Sequence, residues 1–231
     1  MEIARAAAGL FVSRGLKATR AEDIAQAAGI APRTFYRYFA TKEEAVAPLY
    51  AAGAQRWAEA VREAPAALSV PEALEHAVRH TLAPGGGVSA ASWEWVRTLI
   101  RLAMASPALG KVWAEVCHTS EADLAQILAD RATATAPTAT DPTETEPTAT
   151  APGTAALGST AEPVATSATA AAAPTAAADV SPQERFTAAV AGAAVRVAVE
   201  SWAVTDTSPT GPQGPAELAL SNLRALRDFS W

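Results

Sequence analysis

Arg33, Thr34, Tyr36 and Arg37 stand within five residues of one another, and all four side chains donate hydrogen bonds. Such donors suit phosphate oxygens and the edges of bases. Phe35, Tyr38 and Phe39 alternate with them at helical spacing. The pattern predicts a short helix whose aromatic side turns inward against Ile24 and Ile30, leaving the four donors outward. Tyr38 is counted both on the inward stripe and, with its hydroxyl, among the candidates for DNA contact. Lys42, at the predicted start of a later helix, is a further phosphate candidate, because helix N-termini already attract anions.

Other residues offer weaker chemistry. Glu72, His76 and His80 fall at i, i+4 and i+8 and can share one helix face, where they form either three metal ligands or an exposed polar face. The spacing of a zinc protease is missing, and no metal is assigned. Cys117 and His118 are adjacent and diverge on a helix. No Ser/His/Asp grouping, glycine-rich phosphate loop or carboxylate pair stands out, so no catalytic residues and no cofactor are assigned, and the chain does not read as an enzyme. Trp93, Trp95, Trp113 and Trp202 fit plain core packing, or the wall of an apolar ligand cavity between helices. Arg97 and Arg101 share a face and can hold an anion at its mouth or stand in solvent. The candidate ligand residues are Trp93, Arg97, Ile100, Arg101, Met104, Trp113, Cys117 and Trp202.

The elements that would position these residues are helical throughout. Residues 1–14 read as a first helix, with Ile3, Ala6, Ala7, Leu10 and Phe11 inward and Gly15 as its stop. Thr19-x-x-Glu22 reads as a capping box for a second helix, which Gly29 ends. Pro32 suits the first turn of the donor-bearing helix. Thr41-x-x-Glu44 opens a fourth helix, expected from Lys42 to Arg62 with a kink at Pro48. Helix, glycine turn, helix is the helix-turn-helix pattern, whose second helix enters the major groove. Ser69-x-x-Glu72 caps a fifth helix that Pro84-Gly85-Gly86-Gly87 ends. A sixth spans about Ser89 to Ala105, and a seventh follows Ser106-Pro107. Residues 132–181 are mostly Ala, Thr and Pro, without Lys, Arg or an aromatic ring. Such a stretch buries too little to offset its ordering entropy, which predicts a disordered insert. Ser181-Pro182-Gln183-Glu184 opens an eighth helix with two apolar stripes. One carries Phe186, Val190, Ala193 and Val197, the other Ala188, Val195, Val199 and Trp202. A helix apolar on two sides can meet its own core with one and a second subunit with the other. A ninth helix runs from Pro215 to about Phe229.

Residues 3 to 46, from IARAAAGLF through GLKATRAEDIAQAAGIAPRTFYRYFATKEEAV, closely resemble the DNA-binding domain of TetR-type (tetracycline-repressor-like) regulators. The resemblance implies a homodimer that binds a near-palindromic double-stranded DNA operator and, most often, represses. It also implies a small apolar or acyl-type effector. It adds Arg20 to the candidate contacts, because the family often places a phosphate-touching hydroxyl there. The full DNA-contacting set is then Arg20, Arg33, Thr34, Tyr36, Arg37, Tyr38 and Lys42. Two departures stand out. Ala31 replaces a frequent capping Ser, and the basic residues that usually precede the first helix are missing, either for want of an arm or because the start has been placed too late. The run R-L-A-M-A-S-P-A-L before a long helix, with an Ala-rich helix and Trp202 beyond, resembles the subgroup with acyl-CoA-like ligand-binding domains.

The net charge of −6 hides a division. Residues 1–60 carry eight Lys/Arg against six Asp/Glu, while the remainder carries ten against eighteen. The positive excess thus sits where DNA would be met. One cysteine, Cys117, fits a reducing cytosol, and neither a signal peptide nor a membrane span is visible. The expected architecture is all-α: a helix-turn-helix domain at 1–46, a ligand-binding domain at 47–131 continued by dimerising helices at 182–231, and the insert at 132–181. It predicts a cytoplasmic regulator without membrane attachment. The alternative is a ligand-independent helical adaptor for protein partners.

Overall fold

The computed structural model describes residues 1–83, 90–135 and 179–227. Among these are nine α-helices, one 3-10 turn and no strand. The amino-terminal helices are α1 (Glu2–Arg14), α2 (Ala21–Ala27) and α3 (Pro32–Tyr38). A 3-10 turn at Glu44–Val46 leads into α4 (Ala47–Glu63). The body continues with α5 (Val70–Leu82), α6 (Ala90–Ala105), α7 (Pro107–Thr135), α8 (Pro182–Ala203) and α9 (Pro215–Arg227).

The turn between α2 and α3 is built as its residues dictate. Gly29 adopts φ 66°, a left-handed conformation that costs a side-chain-bearing residue energy. Gly29 N–H donates to Gln26 O at 3.1 Å and Ile30 N–H to Ala25 O at 3.0 Å. These two bonds close the helix end in a Schellman turn. The start of α2 departs from expectation. Thr19 is fully buried, and its hydroxyl turns back to donate to Gly15 O at 2.9 Å. Arg20 takes the N-cap place instead, its N–H donating to Asp23 Oδ2 at 2.8 Å. The box therefore sits one residue later than Thr19-x-x-Glu22, and Glu22 is released for another partner. The boxes at Ser69–Glu72 and Ser181–Glu184 form as written.

Pro48 is not inside a helix. Glu44 accepts from the Ala40 N–H at 2.8 Å and bonds the Thr41 hydroxyl, which folds 41–46 into a tight turn before α4 begins at Ala47. Pro48 then occupies the first turn, where its missing N–H removes no helix bond. The expected kink has no basis. The insert is described only at its ends: α7 continues through 132–135, and 179–181 lead into α8. Residues 136–178 and the Pro84–Gly87 helix stop lie outside the described residues, as does the end of the ninth helix beyond Arg227.

Two buried clusters hold the molecule together. The first joins Phe11, Ile24, Phe35 and Val46 of the amino-terminal part to Trp93, Leu99, Leu109 and Trp202 of the body. The second joins Trp57, Val61, Leu74, Val78, Leu124 and Leu220 further along α4. α8 packs on α7 and α9, and α4 on α5 and α7. α4 thus runs beside both clusters and links the amino-terminal helices to the body.

Candidate nucleic-acid interface and ligand cavity

Phe35 is fully buried against Ile24 and Phe11, which fixes the roll of α3. With that roll set, Arg33, Tyr36, Arg37 and Tyr38 stand exposed, and Thr34 is half-buried. Tyr38 is 61% exposed, so it leaves the inward stripe and joins the outward face. Its hydroxyl accepts from Arg37 Nη2 at 3.1 Å, and the Arg37 guanidinium lies 4.9 Å from its ring centre. The Tyr36 hydroxyl donates to Glu22 Oε1 at 3.1 Å, which raises the Tyr36 pKa. Glu22 had been placed in a cap by its spacing alone.

Arg20 is exposed at the N-cap of α2. Lys42 is committed elsewhere: its ammonium donates to Leu16 O at 2.7 Å and Thr19 O at 2.8 Å. It pins the α1–α2 loop, and its charge is directed at protein carbonyls.

A cavity of about 650 Å3 opens between α1, α4, α5, α6, α7 and α8. That volume lies within the usual range for small-molecule sites, roughly 300–1,000 Å3. Of the sequence candidates, Trp93, Ile100, Trp113 and Cys117 line it. Arg97, Arg101, Met104 and Trp202 do not. Trp202 is fully buried, its ring 5.4 Å from that of Trp93, and its N–H is taken by the 207–208 carbonyls. Arg97 is stacked 4.3 Å over Trp202 and bonded to Thr207 O and Glu94. Arg101 donates to Ala203 O at 2.5 Å and to Asp206 at 2.8 Å, and the bond it donates holds the Asp206 carboxyl below its usual range. Both arginines fasten the segment after α8 and guard no mouth. Met104 is 54% exposed on the outer side of α6.

Residues not singled out from the sequence complete the wall. Tyr50, Trp57 and Leu49 come from α4, and the exposed Arg5 and Arg56 also border the cavity. Tyr50 and Trp57 are seven residues apart, a helical spacing that could have marked one face. The Tyr50 hydroxyl donates to Leu99 O at 3.0 Å, and burial pushes its pKa up. The Trp113 N–H donates to Glu200 Oε1 at 2.7 Å, so the polar atom of this ring is satisfied at the wall. Burial pushes the Cys117 thiol up to about 11, which leaves it protonated and unreactive at neutral pH. Glu72 accepts from the Ser69 N–H and hydroxyl, so its carboxylate serves the α5 cap.

Residues 3–47 match the sequence model of the bacterial regulatory proteins, tetR family. Residues 3–47 are thus similar to the amino-terminal part of tetR-family regulators. The HTH-type transcriptional regulator TcmR of Streptomyces glaucescens is 31% identical over 135 residues, 56% of this chain and 58% of that protein. The HTH-type transcriptional repressor KstR2 of Mycobacterium tuberculosis is 49% identical over 45 residues, 20% of this chain and 22% of its own length. The chain thus spans less than two thirds of each of these relatives. A TetR-family protein structure from Mesorhizobium loti overlays with a TM-score of 0.48 at 16% identity, covering 97% of this chain and 92% of that one. Both named relatives are HTH-type regulators of transcription. The TetR-type match begins in α1 and ends at the first residue of α4, so it contains the whole donor-bearing face.

Proposed function

We propose that this chain is a DNA-binding regulator of transcription of the TetR type, acting as a homodimer whose hold on its operator is released by a small apolar or acyl-type effector. The observation that carries this is the exposed donor row of α3 (Arg33, Tyr36, Arg37), held in place by the buried Phe35. Arg20, Thr34 and Tyr38 border the same row, and together they would meet phosphates and base edges in one major groove.

A second copy would supply the second groove. The α8 stripe that contains Phe186 and Val197, each 44% exposed, supports pairing through this helix. Two α3 helices then read two half-sites on one side of a near-palindromic operator. The effector would occupy the cavity beside α4. A ligand that fits one spacing of the two α3 helices better than the other shifts the population toward it, and operator affinity changes by that differential binding. Repression is the favoured sign, since KstR2 is a repressor.

The test is a gel shift with the DNA upstream of the protein's own gene, with and without a long-chain acyl-CoA. Retarded DNA that is released by the acyl-CoA supports the whole reading. Retarded DNA that ignores it removes the acyl arm, and DNA that never shifts favours the adaptor reading.

A further inference from the structure

Two guanidinium groups that border the cavity have no partner among the described residues. Arg5 of α1 and Arg56 of α4 both border it, and both are exposed. Among the described residues neither guanidinium is held in an ion pair or hydrogen bond. Arg196, the other guanidinium on the wall, is different. It is tied to Glu200 at 3.2 Å, and Glu200 also takes the Trp113 N–H. Glu121, the acidic side chain on the wall, lies against Gly192 on the α7–α8 side, where a Cβ would come within 3.1 Å of its Cγ. Inside, the surface is largely indole and aliphatic.

An apolar interior with unanswered guanidinium groups at its rim suits one class of molecule. We infer that the cavity takes an amphiphilic anion, with its apolar body among the tryptophans and a carboxylate or phosphate head between Arg5 and Arg56. The planar fork of a guanidinium matches either head. This rests on the reading of the cavity as an effector site.

The placement of the two arginines gives the head group a second role. Arg5 lies on α1, a helix of the DNA-reading part, and Arg56 lies on α4. One anion held by both fastens α1 to α4 across the opening. Trp95 marks the same junction from the α6 side. It borders the cavity, and its ring sits 3.6 Å from where a Cβ on Gly9 of α1 would be. An occupied cavity therefore acts on the DNA-reading helices directly as well as along α4.

The test uses the full chain and three probes of one chain length: decanoate, decyl phosphate and decan-1-ol. Binding is read from tryptophan fluorescence, since Trp57, Trp93, Trp95 and Trp113 border the cavity. At low salt at least one anion should bind roughly five- to tenfold tighter than the alcohol, the advantage of one or two exposed charge-assisted contacts. The preferred anion identifies the head group, and added salt should shrink the preference. Arg5→Gln and Arg56→Gln should each reduce it and together remove it, with decan-1-ol binding unchanged. Equal binding of all three probes overturns the anionic head and leaves the cavity as an effector site. Binding of none overturns the effector site and this inference with it. A full preference surviving in the double variant overturns the assignment to these two arginines. If Arg56→Gln alone removes everything, the link to α1 is wrong. Both side chains are exposed, so circular dichroism of the variants should match the parent protein.

Discussion

The phenol of Tyr36 on α3 donates to the carboxylate of Glu22 on α2 across 3.1 Å. The bond ties the two helices on their exposed side, with the Tyr36 ring set edge-on to the buried Phe35 at 5.5 Å, and sets a negative charge beside the exposed donor row of α3. Tyr36→Phe should leave the melting temperature nearly unchanged, because the site is exposed. Operator affinity should fall roughly threefold to tenfold, the worth of one net hydrogen bond. Glu22→Gln should hold or raise affinity by removing a charge that repels phosphates. Fluorescence anisotropy with labelled operator decides both. A steep loss in Glu22→Gln would mean that the carboxylate itself reads a base.

Lys42 is a structural pin. Its two bonds reach the carbonyls of Leu16 and Thr19. Lys42→Met should destabilise the protein by on the order of 1–3 kcal/mol, since hydrogen bonds to a charged donor are lost from half-buried carbonyls. Urea unfolding measures this. If Lys42→Met instead keeps full stability and loses only DNA affinity, the ammonium serves phosphate after all.

The α2–α3 turn tolerates little change. Gly29→Ala places a Cβ in the left-handed region at φ 66° and should cost about 1–2 kcal/mol. Phe35→Ala should cost about 3–5 kcal/mol, the usual loss for a fully buried ring. Chemical denaturation of the two variants should reproduce this order, with DNA binding falling only as far as folding does in Gly29→Ala.

Pro48→Ala should be close to silent. The ring sits in the first turn of α4 and displaces no helix bond, so stability should change by no more than about 1 kcal/mol. Effector release of the operator should be unaltered in a titration. A blunted release would restore Pro48 as a moving part.

Acid should loosen α5 through Glu72. Its hydrogen bond from the Ser69 hydroxyl, and then that from the Ser69 N–H, lower its pKa. A carboxyl depressed in the folded state contributes stability above its unfolded pKa, about 4.3, and loses it as pH falls through the folded value. Glu72→Ala should therefore melt lower than the parent at pH 7, with the gap closing toward pH 3. A gap independent of pH would show that packing, and not the carboxylate, is what the substitution removes.

These residues also show what the sequence can and cannot carry. The Gly29 turn and the Ser69 and Ser181 caps were legible because each is settled within four or five residues by donors and acceptors that can only meet one another. The fates of Arg97, Arg101 and Lys42 were not. Their carbonyl partners lie 110, 102, 26 and 23 residues away in the chain. Helical spacing says that Arg97 and Arg101 share a face, but only the packing of α8 says what that face meets. The Thr19 box failed for a local reason: a buried threonine found the Gly15 carbonyl before it found the helix start. Arg5 and Arg56 escaped notice because a charge on an amphipathic helix reads as solvated until a cavity appears beside it.

The buried cluster that joins Phe11, Ile24, Phe35 and Val46 to Trp93, Leu99 and Trp202 has a bearing on how freely this protein's parts can be exchanged. A fragment ending near residue 46 would keep the whole donor row of α3 and lose the indoles that close its interior. It would be a reader with an open back, prone to stick to its own kind. Grafting this head onto another body would succeed only where that body offers matching bulk at the seam. A gene fusion that respects the sequence boundary at 46 would cut through the middle of this buried cluster.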